Sequence, residues 1–167
     1  MVPLVAFIGS SGAGKTRLII SLIQLLSARG YCIGAIKHTH HRHAQIEIDR
    51  PGKDSYDLQE AGADPVLLID ADQPESPLEA LATRYCLDCD LVLAEGFAES
   101  LSPKVVVERS GCAEKPSVRA AWDRGEVIAL VNNNVTPQAV ANVSLVRCFS
   151  ANEPRKIAEF LRERILS

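Results

Sequence analysis

"GSSGAGKT", Gly9 to Thr16, is the stretch on which the fold turns. It fits the spacing G-x-x-x-x-G-K-[ST], a pattern that carries meaning only between a strand and a helix. Before it, "VPLVAFIG" is a short apolar run with β-branched residues and reads as a buried strand. After it, "KTRLIISLIQLLSARG" places Leu18, Leu22, Leu25 and Leu26 on one helical face, with Gly30 as C-cap. The context is therefore met. Gly9, Gly12 and Gly14 let the backbone turn its amide N–H groups inward along the loop Gly9, Ser10, Ser11, Gly12, Ala13, Gly14. Those amides and the positive end of the following helix form an anion cradle. Lys15 would reach the β- and γ-phosphates as a point charge, and the Thr16 hydroxyl would ligate Mg²⁺. The stretch predicts a nucleoside triphosphate site.

The rest of the chain repeats the opening alternation. "YCIGAIKH" is a second strand, so the first three elements form a strand–helix–strand unit suited to parallel pairing. "KDSYDLQEAGA" predicts a short helix closed by Gly62, and "PVLLID" a strand. "SPLEALATRYC" predicts a helix with Ser76 as N-cap and Pro77 in its first turn. "DLVLAEG", "KVVVER", "VIALVNN" and "SLVRCF" read as strands with no helix assigned among them. "NEPRKIAEFLRERIL" is an amphipathic helix begun near Asn152. The expected fold class is α/β: a mostly parallel sheet with helices on both faces, a three-layer P-loop NTPase fold. Residues 1–167 are expected to form a single nucleotide-binding domain.

Composition narrows the function classes. The chain is 47% hydrophobic and 23% charged, in the globular range. Its net charge of −3, with both signs mixed, argues against nucleic acid as partner. No apolar run approaches the roughly 20 residues a bilayer span needs, and "MVPLVAFIGSSG" lacks a signal peptide's basic n-region. No membrane association and a cytoplasmic location are expected. Cys32, Cys86, Cys89, Cys112 and Cys148 suit reduced, mostly buried thiols. "CLDC", Cys86 to Cys89, has C-x-x-C spacing without a second pair to complete a zinc site, and reads as a helix end running into a strand.

A phosphate site needs a carboxylate near its magnesium. "LVLAEG" offers Glu95 at a strand's carboxyl end, where ligands gather in open α/β sheets. Asp90 begins that strand, about 17 Å away at ~3.3 Å per residue. The bland alternative is a surface carboxylate at a strand end. All four histidines, His38, His40, His41 and His43, lie in "IKHTHHRHAQIEIDRPGKDS", Ile36 to Ser55. Three readings stay open for this segment: a metal site, a solvent-exposed loop, or a loop approaching phosphates with Lys37, His38 and Arg42 as donors. In the third, Asp49 and Asp54 become candidate magnesium carboxylates beside Glu95.

The phosphate loop, "KHTHH", "IDRPGKDSYDLQEAGAD" and "DLVLAEGF" stand in an order and spacing that resembles the MobB family, relatives of the P-loop GTPases. The resemblance covers about the first hundred residues, and "KVVVER" extends it. It implies a homodimeric, GTP-binding accessory protein of molybdenum cofactor biosynthesis. Such a protein assists the guanylyltransferase that joins GMP to molybdopterin and hydrolyses GTP slowly at most. GTP and Mg²⁺ are the implied cofactors; direct contact with molybdopterin is left open. The implied sites are Gly9 to Thr16, Lys37 to His43, Asp49 to Ser55, Glu95 and Gly96. Two places depart from the family pattern. Ala98 stands where lysine is frequent after "EGF", so any lysine contact there is lost or supplied by Lys104. "VNNN", Val131 to Asn134, replaces the usual guanine-reading segment, leaving Asn132 or Asn133 to meet the base through an amide oxygen. No catalytic residue is assigned. The alternative is a small-molecule kinase, whose lid would draw on Arg42, Arg50 or Arg119, with Asp49 or Glu95 as base. A pure metal chaperone would leave the phosphate loop unexplained.

Overall fold

The computed structural model describes residues 2–39, 54–70, 77–109, 115–132 and 146–166. Seven strands pair in parallel in the order β3-β2-β4-β1-β5-β6-β7. They are β1 (Leu4–Ile8), β2 (Ile33–Thr39), β3 (Ala63–Asp70), β4 (Leu91–Glu95), β5 (Lys104–Glu108), β6 (Val127–Asn132) and β7 (Arg147–Phe149). The helices are α1 (Lys15–Ser27), α2 (Asp54–Glu60), α3 (Leu78–Tyr85), α4 (Pro116–Asp123) and α5 (Pro154–Ile165). The expected α/β class is the one observed.

Strand composition explains the layering. β1 and β4 are continuous apolar runs because both faces of a central parallel strand are covered. Successive residues alternate between faces. Val5, Phe7, Leu93, Val105 and Val107 point into a core built with α1, Leu58 of α2, and α5. Ala6, Ile8, Val92, Ala94 and Val106 point to the other face, against α3 and α4. β3 is the strand that carries a proline, Pro65, and it lies at the sheet edge, where a missing N–H costs least.

Three local expectations change. α4 is an element that the strand pattern did not reveal. It is only 8 residues long and sends just Val118 and Ala121 into the core, too few for a visible period. α3 begins at Leu78 with Pro77 as its N-cap residue rather than inside the first turn, and Ser76 lies outside the described residues. Leu25 sits at the margin of the α1 face, whose buried residues are Leu18, Ile19, Leu22, Ile23 and Leu26.

β1 is where the strand order reverses: the chain first builds toward β2 and later returns on the other side as β5. That switch point opens a crevice at the carboxyl ends, the usual ligand position in open α/β sheets. The loop 9–14 leaves β1 into this crevice.

Candidate functional site

The phosphate loop is built by what it lacks. Gly9 adopts φ 144°, and a Cβ there would lie 2.1 Å from the Val107 carbonyl oxygen on β5. Only glycine lets the chain leave β1 so close to its neighbour. Gly14, at φ 96°, is the N-cap residue of α1 and offers no side-chain cap, and the helix's first turn has no acidic residue. The first-turn amides are thus left to a ligand, at the helix end that favours negative charge.

Lys15 folds over this loop, its Nζ donating to the carbonyls of Ser10 at 2.9 Å and Gly9 at 3.3 Å. Burial lowers its pKa, while Glu95 pulls the other way. Thr16, one residue on, donates its hydroxyl to Glu95 Oε2 at 2.7 Å. Lys37 Nζ donates to Thr16 Oγ1 at 2.9 Å and lies 2.9 Å from the same Glu95 oxygen. Register brings these groups together: Glu95 pairs with Phe7 of β1 on one side and Lys37 of β2 on the other. Thr16, Lys37 and Glu95 came from three separate motifs, and here they touch.

His38 goes elsewhere. Alternation turns it to the opposite sheet face, where its ring stacks on Phe97 with centroids 3.6 Å apart and lies against Gly96. The structure therefore does not bring His38 to the phosphate loop beside Lys37. Gly96 takes φ 95°, and a Cβ there would meet the His38 side chain at 3.3 Å. Asn132 ends β6 in register with Glu108. Asp49, His40, His41, Arg42, His43, Arg50, Asn133 and Asn134 lie outside the described residues.

Lys104 does not supply the lysine contact that Ala98 lacks. It is in register with Ala6, on the face away from Lys15, and its side chain is fully buried. Its ammonium donates to the carbonyls of Ser100 and Ser102 at 2.7 and 2.6 Å and pairs with Glu126 at 3.5 Å. Burial lowers its pKa against the pull of Glu126. Arg119, a lid candidate for the kinase reading, is exposed on α4 and pairs with Asp123 at 3.4 Å.

A cavity of about 750 Å³ opens beside the loop, lined by Gly12, Arg17, Glu108, Arg109, Ala151 and Asn152 among others. Sequence reasoning missed Arg17, Arg109 and the turn after β7. Arg17 was hidden in a helix read for its apolar face, and the 150–153 turn meets the loop only through folding. The cysteines also converge: Cys32 and Cys89 sulfurs lie 3.9 Å apart, and Gly34 leaves the room that Cys86 and Cys89 occupy. Among the described residues, no group of three or more His, Cys, Asp or Glu is placed to hold a metal ion.

A parallel sheet with its glycine loop at the switch point, capped by an unblocked helix end, defines a protein of the P-loop NTPase fold. The family can be given more closely. The profile of the molybdopterin guanine dinucleotide synthesis protein B family, MobB, matches residues 4–133. This chain belongs to that family. It is 41% identical over 127 residues to the "Molybdopterin-guanine dinucleotide biosynthesis adapter protein" of Escherichia coli (strain K12), covering 70% of this chain and 71% of that one. The protein of the same name from Haemophilus influenzae is 38% identical over 117 residues, covering 65% and 64%. A crystal structure of molybdopterin-guanine biosynthesis protein B superposes with TM-score 0.56 at 26% identity, over 96% of this chain and 98% of that one. HypB from Helicobacter pylori, solved in complex with nickel, shares the fold alone: TM-score 0.58 and 14% identity, over 98% and 86%. The chain is thus a MobB-family adapter protein of molybdopterin guanine dinucleotide biosynthesis, a role exercised alongside the enzymes of that synthesis. No helix among the described residues is long and apolar enough to cross a membrane.

Proposed function

We propose that this adapter binds GTP with Mg²⁺ in the loop Gly9 to Thr16 and, in that state, assists the guanylyltransferase that joins GMP to molybdopterin. The observation that carries the reading is the contact between Thr16 and Glu95 at the mouth of the loop. A hydroxyl and a carboxylate are the hard oxygen donors magnesium takes, and it keeps several waters while bridging phosphate oxygens. The chain's own groups fit such a ligand without rearranging the fold. Lys15 would exchange its two carbonyl acceptors for phosphate oxygens, which satisfy an ammonium better. The cavity past Gly12 would take the nucleoside, with Arg17 and Asn152 on its wall and Asn132 one strand over from the lining residue Glu108. Bound magnesium would supply charge neutralisation at the β- and γ-phosphates.

Hydrolysis is slow in this reading. None of the described residues near the loop is a glutamine placed to orient water, and turnover stays below about 1 s⁻¹ without a partner. The protein acts as a homodimer in the cytoplasm, from a single domain spanning 1–167. Calorimetric titration with GTP and ATP, each with Mg²⁺, tests the core of this. GTP binds at least tenfold more tightly, about 1.4 kcal/mol, and Lys15→Ala loses binding by a hundredfold or more. Equal affinity for ATP, or turnover well above 1 s⁻¹, would return the kinase reading.

A further inference from the structure

Lys37, Thr16 and Glu95 form a triangle of contacts. Thr16 Oγ1 donates to Glu95 Oε2 at 2.7 Å, Lys37 Nζ donates to Thr16 Oγ1 at 2.9 Å, and Lys37 Nζ lies 2.9 Å from Glu95 Oε2. The ion pair is nearly closed to solvent, its side chains 12% and 13% exposed. A hydroxyl oxygen has one proton to donate and two lone pairs to offer. In this arrangement the proton goes to Glu95 and one lone pair goes to Lys37. A magnesium ligand at Thr16 would keep the first bond and require a lone pair at about 2.0–2.1 Å. A cation on the remaining lone pair would crowd the Lys37 ammonium, which already lies 2.9 Å from both Thr16 Oγ1 and Glu95 Oε2.

We propose that Lys37 is a built-in counter-cation that holds the magnesium position when no nucleotide is present and is displaced when the metal arrives. This rests on the reading of the loop as a magnesium–nucleotide site. Its physical reason is charge. A nearly buried carboxylate with no cation beside it is costly, and Lys37 neutralises Glu95 where it stands. Two cations crowded on the same hydroxyl and carboxylate oxygens repel each other where solvent is largely excluded. Entry of the metal therefore expels the ammonium. The phosphates arrive with the metal and bring negative oxygens to the same end of β1. A lysine stem rooted on β2 needs to swing only a few ångströms to meet them. Cation exchange and phosphate binding are thereby coupled: metal must displace Lys37 from Glu95 in either case, and phosphate offers the displaced ammonium anionic oxygens.

The consequence is a metal affinity held down by the lysine. The test titrates Mn²⁺ into the full chain without phosphate, with free Mn²⁺ read by electron paramagnetic resonance. A parallel titration adds pyrophosphate at the protein's own concentration, which keeps free chelator low. Lys37→Met, which keeps the stem and removes the charge, lowers the Mn²⁺ midpoint without phosphate at least tenfold and narrows the gap between the two arms, while Lys37→Arg leaves the midpoint within about threefold. A midpoint unchanged or raised in Lys37→Met overturns the proposal, as does failure of Mn²⁺ to bind with pyrophosphate in the wild type. If wild-type protein binds no guanine nucleotide, the functional reading above fails, and the two Mn²⁺ arms still decide this one. Should Lys37→Met not fold, Lys37→Gln takes its place in the same titration.

Discussion

Two lysines on neighbouring levels of one sheet face opposite ways and do different work. Lys37 and Lys104 each pair with a glutamate, Glu95 at 2.9 Å and Glu126 at 3.5 Å. Lys104 is wholly enclosed on the α3–α4 face, and its other acceptors are the backbone carbonyls of Ser100 and Ser102 and the hydroxyls of the same two serines. Those carbonyls belong to the segment joining β4 to β5, which makes this crossover without a helix. The lysine ties that segment down, and no small ligand can take its place without opening the core. Lys37 is on the α1 face at the crevice, and its partners are a hydroxyl and a carboxylate, groups that also suit a metal. Both lysines meet a hydroxyl and a carboxylate, so the lesson concerns place more than partner type. An ammonium enclosed on backbone carbonyls is a structural tie, whereas one at the mouth of the phosphate loop stands where a cation can reach its partners.

The comparison breaks first at Lys104. Lys104→Met strips one partner from a buried ion pair and orphans two carbonyls, so urea unfolding should show a loss of about 3–5 kcal/mol. Metal and nucleotide affinity, measured on the folded fraction, stay as in the wild type. A loss below about 1 kcal/mol would mean the tie is ornamental. Lys37→Met is the sharper case. It leaves Glu95 without its cation at the mouth of the crevice, where incoming water replaces part of the contact, and costs about 1.5–3 kcal/mol in the same assay. Equal costs at the two lysines would erase the distinction between them.

The smallest effect lies in the thiols at the other end of β2. Burial first, and then neighbouring Cys32, push the Cys89 thiol from its ordinary 9.0 up to about 12. The folded protein therefore keeps a proton that the unfolded chain releases above pH 9. Stability is undiminished below about pH 9 and declines from there toward 12. By pH 9.5 this group costs under about 1 kcal/mol, and Cys89→Ala flattens that part of the pH dependence in urea unfolding. Exposed Cys32 alkylates in native buffer well before Cys86 and Cys89. Equal rates for all three would contradict the burial.

Much of the site was legible because local chemistry wrote it. The loop's glycines answer to backbone angles and to the approach of Val107, and these are constraints that any sequence must meet with glycine. Glu95 was legible too, since a carboxylate closing an apolar strand has few other places to be. Lys37 and His38 show where reading along the chain stops. Adjacent in sequence and drawn into one expected donor set, they separate because a strand sends neighbours to opposite faces. One joins Thr16 and Glu95, and the other stacks on Phe97. α4 escaped notice for a related reason: two core-facing residues do not make a period. Lys104 looked like a free replacement lysine until its register with Ala6 put it on the wrong face.

The sequence by itself determined the strand–loop–helix opening, the α/β class and the phosphate cradle, because each depends on interactions within a few residues. Tertiary structure alone decided that β4 lies beside β1 and β2, and so that Glu95 meets Thr16 and Lys37. It also decided that the turn after β7 completes the cavity beside Arg17. Those contacts span gaps of 21 to 79 residues between the three site groups, and strand order, which sets them, is a property of how the whole sheet buries its two faces.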